Sequence, residues 1–285
     1  MKNKKIQQKV NRESLVGLLK KEDSGFLKLR DTVDKIFYTT QGGPFNIRQL
    51  AMTVEQDKEL NNAIIKICQS KFYSGKTPIR QVSQAVRRLG PNGFRGVSMQ
   101  AFLDLDVYYN PEWSQVTNSI RQYSVAVAHA CRITSQALSF DSDKAFLLGI
   151  LHRIGISVTL LQLPPPQEDL QKAQKHYQEL QWIHPSIGQH VLQSWGMPTE
   201  LIQIIGNYGQ IMINNKPSLL SAILIVAESC IQKLGRSTPR LTSMKETLIS
   251  LPTDSFDDAC TILKLHPKDI PTIIEGIQET LRTEN

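Results

Sequence analysis

The chain has 285 residues, 40% apolar and 21% charged, enough to bury a substantial core and ordinary for a soluble globular protein. Its first residues, "MKNKKIQQKVNRESL", have no apolar signal-peptide core, and its longest apolar stretch, "LLSAILIVAESCI" (219–231), is too short to span a bilayer. These features argue against a secreted or membrane-spanning protein and lead us to expect a cytoplasmic one. Of the net charge of +7, six units fall in residues 1–30, where nine Lys and Arg face three acids, so the basicity describes an N-terminal arm and not a basic protein.

Taken in chain order, almost every segment carries helical periodicity. After the basic arm (1–25), two short helices are expected within 46–72. Leu50, Ala51 and Val54 mark the first; Leu60, Ile64, Ile65 and Ile67 mark the second. "TPIRQVSQAVRRLG" (77–90) predicts a helix capped by Thr77, with Pro78 in its first turn and Gly90 at its end. A long helix is expected over 112–138. Another runs over 142–161, opened by Asp141 and stopped by "LPPPQ". Further helices are predicted at 167–182, 185–195, 198–213 and 218–234. No alternating strand pattern or repeat is found, so the expected class is all-α. A boundary near "LGRSTPRL" (234–241) sets off a helical extension, 236–285, expected to pack on the main body. The four cysteines are widely spaced in apolar, helix-like contexts, as buried reduced thiols would be.

One polar pair interrupts this apolar pattern. In "FLLGILHRIGI" (146–156), His152 lies three residues from Gly149 on one side and Gly155 on the other, all on one broad helix face. Glycines there leave space for a close helix approach or for a small pocket beside the ring. A lone histidine in such a setting is a metal ligand, a catalytic base or a satisfied core residue, and the local pattern leaves these open.

Longer motifs narrow the choice. "DKAFLLGILHRIGISVTLL" resembles the stretch around the His-Asp pair of HD-type metal-dependent phosphohydrolases. Residues 45–96, including "QSKFYSG" with Gln69 where an Asn is usual, resemble the N-terminal half of the HDOD family, the output-domain relatives of those enzymes. "HPSIGQHVLQSWGMPTELIQII" (184–205) is similar to that family's His-x-x-(Ile/Val)-Gly helix and Trp-Gly-(Leu/Met)-Pro turn. The resemblance covers roughly 26–235. It implies an all-α HDOD-like helical domain with an N-terminal helical lobe (about 26–110), an HD-like lobe (about 111–235) and a regulatory or signalling role in bacteria.

An HD phosphohydrolase holds a divalent metal with an early His, the His-Asp pair and a later Asp. Carried across, these positions fall at Tyr123, His152, Arg153 and Glu228. Arg153 is a permanent cation without a lone pair. At about 4 Å from a divalent ion, with an effective dielectric of about 20, it would be repelled by up to roughly 8 kcal/mol. Tyr123 is a poor ligand while its phenol, with an ordinary pKa of about 10, stays protonated. The resemblance therefore leads us to expect a vestigial pocket of Tyr123, His152, Arg153 and Glu228, with His184 at its rim. The Tyr123 hydroxyl and the His152 ring should lie close together, and Arg153 should reach an acid such as Glu228. No catalytic residue, metal or cofactor is expected.

Three functional readings result. The first is a non-catalytic signalling or regulatory module that binds a protein partner, or a small nucleotide, through the arm or the groove between the lobes. The second is a nucleic-acid-binding regulator using Lys4 and Lys5 in the arm and Arg80, Arg87 and Arg88 along the 77–90 helix. The third is a residual phosphohydrolase holding Mn, Fe, Mg or Zn. "YYNPEW" (108–113) is read as packing between the lobes in preference to an interaction patch.

Overall fold

The computed structural model describes residues 28–40, 45–161 apart from positions 71, 74, 76, 110 and 112, then 180, 184–236 and 253–282. The helix predicted at 167–182, but for Leu180, and the basic arm, with Lys4 and Lys5, lie outside the described residues.

The architecture is all-α. Helices α1 (Asp31–Thr39), α2 (Ile47–Glu55), α3 (Lys58–Cys68) and α4 (Val82–Phe102) come first. Local chemistry sets their ends. Asn46 caps α2 by accepting from the amides of Arg48 and Gln49, and Asp57 caps α3 through the Leu60 amide. In α4, Gly90 has φ 68°, a left-handed conformation that ends the first half, and Pro91 opens the second. The expected start at Thr77 is corrected: α4 begins at Val82, because the Thr77 hydroxyl instead accepts from the Arg88 guanidinium at 2.9 Å.

A single π turn, Leu103–Val107, follows α4, closed by the Tyr108 amide on the Leu103 carbonyl. It presents two carboxylates. Asp106 pairs with Arg30, which also reaches Asp57 at 3.1 Å and Glu59 at 3.0 Å, tying the start of α1 to α3. Asp104 takes both forks of Arg121 on α5 (Ser114–Ala137), at 2.6 and 2.8 Å. In "YYNPEW", Tyr108 and Trp113 are buried, whereas Tyr109 is exposed.

Next come α6 (Ser142–Leu151), capped by Asp141 as expected, α7 (Ile154–Leu160), α8 (184–194) and α9 (Thr199–Gly206). The single helix predicted over 142–161 is therefore two, broken at His152–Arg153. The His152 ring Nδ1–H donates to the Gly149 carbonyl at 2.6 Å, and Arg153 turns to φ −112°, ψ 17°. The helix predicted over 198–213 stops at Gly206. A two-residue antiparallel pair, β1 (Met212–Ile213) with β2 (Lys216–Pro217), leads into α10 (Leu219–Lys233). Helices α11 (Thr253–Leu263) and α12 (Asp269–Arg282) pack on the body through Ala259, Ile273, Ile277 and Leu281. All four thiols are free, three of them buried.

The two glycines flanking His152 serve close helix contacts, not a pocket. A Cβ on Gly149 would lie 2.4 Å from the Ala128 Cα on α5; one on Gly155 would lie 2.1 Å from the His184 carbonyl oxygen on α8. Both obstacles are backbone, so no rotamer change relieves them. We expect Gly155→Ala to lower stability by about 1–3 kcal/mol or more in urea denaturation, from overpacking. A loss under about 0.5 kcal/mol would contradict the contact.

Candidate functional site: a carboxylate buried among two tyrosines, a histidine and an arginine

Three segments converge on Glu228 of a fourth. It lies in the apolar middle of α10 and is 1% exposed. Tyr208, in the turn after α9, donates its hydroxyl between the two carboxylate oxygens, 2.7 Å from each. Tyr123, on α5, donates to Oε1 at 3.1 Å. Arg153 places Nη2 3.3 Å from the same oxygen and 3.2 Å from the Tyr208 oxygen, with its guanidinium over the rings of Tyr123 and Tyr208. His152 Nε2 is 3.4 Å from Oε1 and 3.2 Å from Arg153 Nε. The imidazole is oriented at its other nitrogen by the Gly149 carbonyl.

Electrostatics follow from this geometry. Burial pushes the Glu228 carboxyl up. The hydrogen bond and charge of His152, the Arg153 guanidinium and the Tyr208 hydroxyl outweigh it and bring the group down to about 2. Burial, and then the Glu228 charge, push the Tyr123 phenol up. Burial raises Tyr208 as well. Both phenols therefore stay protonated and donate. Burial, joined by the charges of Arg153 and His152, holds His184 well below the usual imidazole range.

Of the residues singled out in the sequence, Tyr123, His152, Arg153 and Glu228 come together. Tyr123 and His152 meet at a shared acceptor, with ring centroids 5.8 Å apart. The expectation for His184 is corrected: it is not at a rim but fully buried, edge-on to Tyr208 with centroids 4.9 Å apart, and neither ring nitrogen has a hydrogen-bond partner among the described residues. Tyr208 escaped the sequence reading. Its only local signal is an aromatic between Gly206 and Gly209.

The basic constellation of the second reading is also corrected. Arg80 precedes α4 and so shares no helical line with Arg87. Arg88 folds back onto the Tyr73 and Thr77 carbonyls at 3.4 and 2.7 Å. All three remain exposed, Arg88 with its guanidinium bonded back to its own chain.

The sequence profile of the HDOD domain matches residues 27–211. The chain belongs to the HDOD domain family. No curated protein matches it. Among solved structures, this HDOD chain is similar to a protein from Shewanella amazonensis provisionally named a metal-dependent phosphohydrolase. The two are 18% identical with a TM-score of 0.65, over 95% of this chain and 99% of that one. An HDOD domain protein of unknown function from Geobacter sulfurreducens is 18% identical with a TM-score of 0.62, over 95% and 98%. A protein from Marinobacter aquaeolei, provisionally named a signal transduction protein, is 16% identical with a TM-score of 0.57, over 90% of this chain and 57% of that one. These likenesses establish the shared helical fold of the HDOD chain. Among its described residues no helix is long and apolar enough to cross a membrane.

Glu228→Gln would leave Arg153 buried without its counter-charge, and we expect a loss of about 3–5 kcal/mol in urea denaturation at about pH 7. The pH dependence has a definite sign. Folding lowers the Glu228 pKa from 4.5 to about 2, so its contribution, on the order of 3 kcal/mol, is full above about pH 4.5 and disappears as pH falls to about 2. The stability gap between the native protein and Glu228→Gln should narrow across that window and stay constant above about pH 5.

Proposed function

We propose that this HDOD domain is a non-catalytic regulatory module of the bacterial cytoplasm, acting by binding a protein partner or a small ligand. The observation that supports it most is the side chain of Arg153, 1% exposed and paired with Glu228 in the heart of the cluster. In an HD phosphohydrolase the corresponding residue is an aspartate that ligates a divalent metal.

The residues present do not fit such a metal. A guanidinium offers no lone pair and stays charged, and it occupies the flank of the carboxylate that a cation would need. The phenol at 123 is held protonated by burial and by the neighbouring carboxylate, and it donates where a ligand must accept. The Glu228 oxygens already receive both hydroxyls. Among the described residues no three His, Cys, Asp or Glu side chains gather closely enough to hold a metal ion. The two provisional names borne by its structural neighbours, one enzymatic and one of signalling, do not travel at such low identity; the cluster's own residues favour the second. Arg88, though exposed, holds its guanidinium on the Tyr73 and Thr77 carbonyls, which weakens the support for nucleic-acid binding.

The test is metal content and turnover on the same sample, purified without chelators or a histidine tag. We expect no stoichiometric manganese, iron or zinc by mass spectrometry. We also expect no hydrolysis of a phosphomonoester, a phosphodiester or nucleotides with added Mn²⁺ or Mg²⁺, and His152→Ala should change stability alone. Turnover that disappears in His152→Ala would overturn the proposal.

A further inference from the structure

His184 is a further ionisable group in the core, and the hydrogen-bond network around Glu228 does not use it. The ring is fully buried. Among the described residues neither ring nitrogen has a hydrogen-bond partner, although a neutral imidazole carries one donor and one acceptor. The backbone at this position is pressed against α7: a Cβ on Gly155 would lie 2.1 Å from the His184 carbonyl oxygen. Helix α8 therefore packs on α7 around a polar ring that forms no hydrogen bond there.

What faces the ring decides its response to acid. Arg153 and His152 face it from the break between α6 and α7, Tyr208 from the turn after α9, and Glu228 from α10. Glu228 is the one acid in this set, and it is already shared by Arg153 and the hydroxyls of Tyr123 and Tyr208. A proton on His184 would place a further positive charge beside a guanidinium, out of water and with no acid of its own. Burial, and then the charges of Arg153 and His152, hold the imidazole well below its ordinary 6.5, so the folded protein keeps it neutral. The rest of the inward side of α8 is apolar, with Ile187, Val191 and Leu192 buried, and its other histidine, His190, is partly exposed. His184 is thus the one buried ionisable group of α8.

We propose that His184 is an acid-sensitive switch: taking up a proton drives α8 off α7 and uncovers the faces that the two helices bury against each other. The switch adds an input to the regulatory role and holds whether or not the Glu228 cluster is catalytic. Closed, the imidazole is neutral; open and in water, it binds a proton near its ordinary 6.5. The closed form is therefore fully favoured above about pH 6.5 and loses ground as pH falls, by up to about tenfold in the opening equilibrium per pH unit. Glu228 responds lower, between 4.5 and about 2, so the two effects separate.

The experiment is hydrogen exchange read by mass spectrometry on the full chain from about pH 7.5 to about pH 5, with rates corrected for intrinsic amide exchange. We expect the opening constant of the α8 amides to rise about tenfold per pH unit below about pH 6, while α5 stays protected. His184→Leu should abolish the rise. An NMR titration of the unaltered chain needs no variant: the His184 ring signal should hold its neutral position down to about pH 5.5. Protection of α8 that is indifferent to pH overturns the proposal. A rise that persists in His184→Leu, loosening of α5 together with α8, or a His184 ring that protonates near pH 6.5 in the folded chain each does the same. Phosphate hydrolysis by the chain would sink the non-catalytic reading and leave the switch intact; a pH-indifferent α8 would do the opposite.

Discussion

A carboxylate placed in the middle of an apolar helix has to find both charge and hydrogen bonds inside the protein, and the way Glu228 finds them organises the rest. Its partners come from α5, from the break between α6 and α7, and from the turn after α9. None of these can shift without exposing a buried charge or orphaning a donor. Such a pair adds little net stability over an apolar replacement, because desolvation offsets most of the attraction. Its effect lies in selectivity: one arrangement of four segments satisfies all of the groups, and other compact packings do not.

Much of this was legible from the chain. The caps at Asp141 and the break at Gly90 follow from local chemistry that needs no tertiary information. The pairing of Arg153 with Glu228 could be anticipated because a buried cation must meet an acid, and few acids lie in apolar helices. Other features depended on long-range packing. Tyr208 acquires its role from a turn that points its hydroxyl at a residue 20 positions away, and nothing in "GNYGQ" encodes that direction. The break at His152 is invisible to periodicity, since apolar residues continue on both sides; it depends on a side chain taking the place of a backbone donor. Arg88 is exposed, as its sequence suggests, yet it also closes the loop before its own helix.

Charge is used in two ways along this chain. Arg30, Arg121 and Arg132 hold separate helices together through acids placed opposite them; Arg132 bridges Asp143 and the Tyr73 hydroxyl and lies over Phe146. These arginines are internal fasteners. The contrast with Lys66 and Arg236, which border an open cleft between α3 and α5, is visible only once the pairings are known, because a count of basic residues treats both kinds alike.

The interlocked glycines at 149 and 155 carry a consequence for how such a domain can change over time. The turn bearing His152 and Arg153 is fixed by backbone pressed against backbone on both flanks, at Ala128 and at His184. Its position is therefore held by packing as well as by what its side chains bind. A site built on ligation alone would collapse when a ligand was exchanged. Here part of the frame is steric, so the side chains within it can change while the helices around them keep their places. Side chains can be exchanged within this frame without loss of the shape around them.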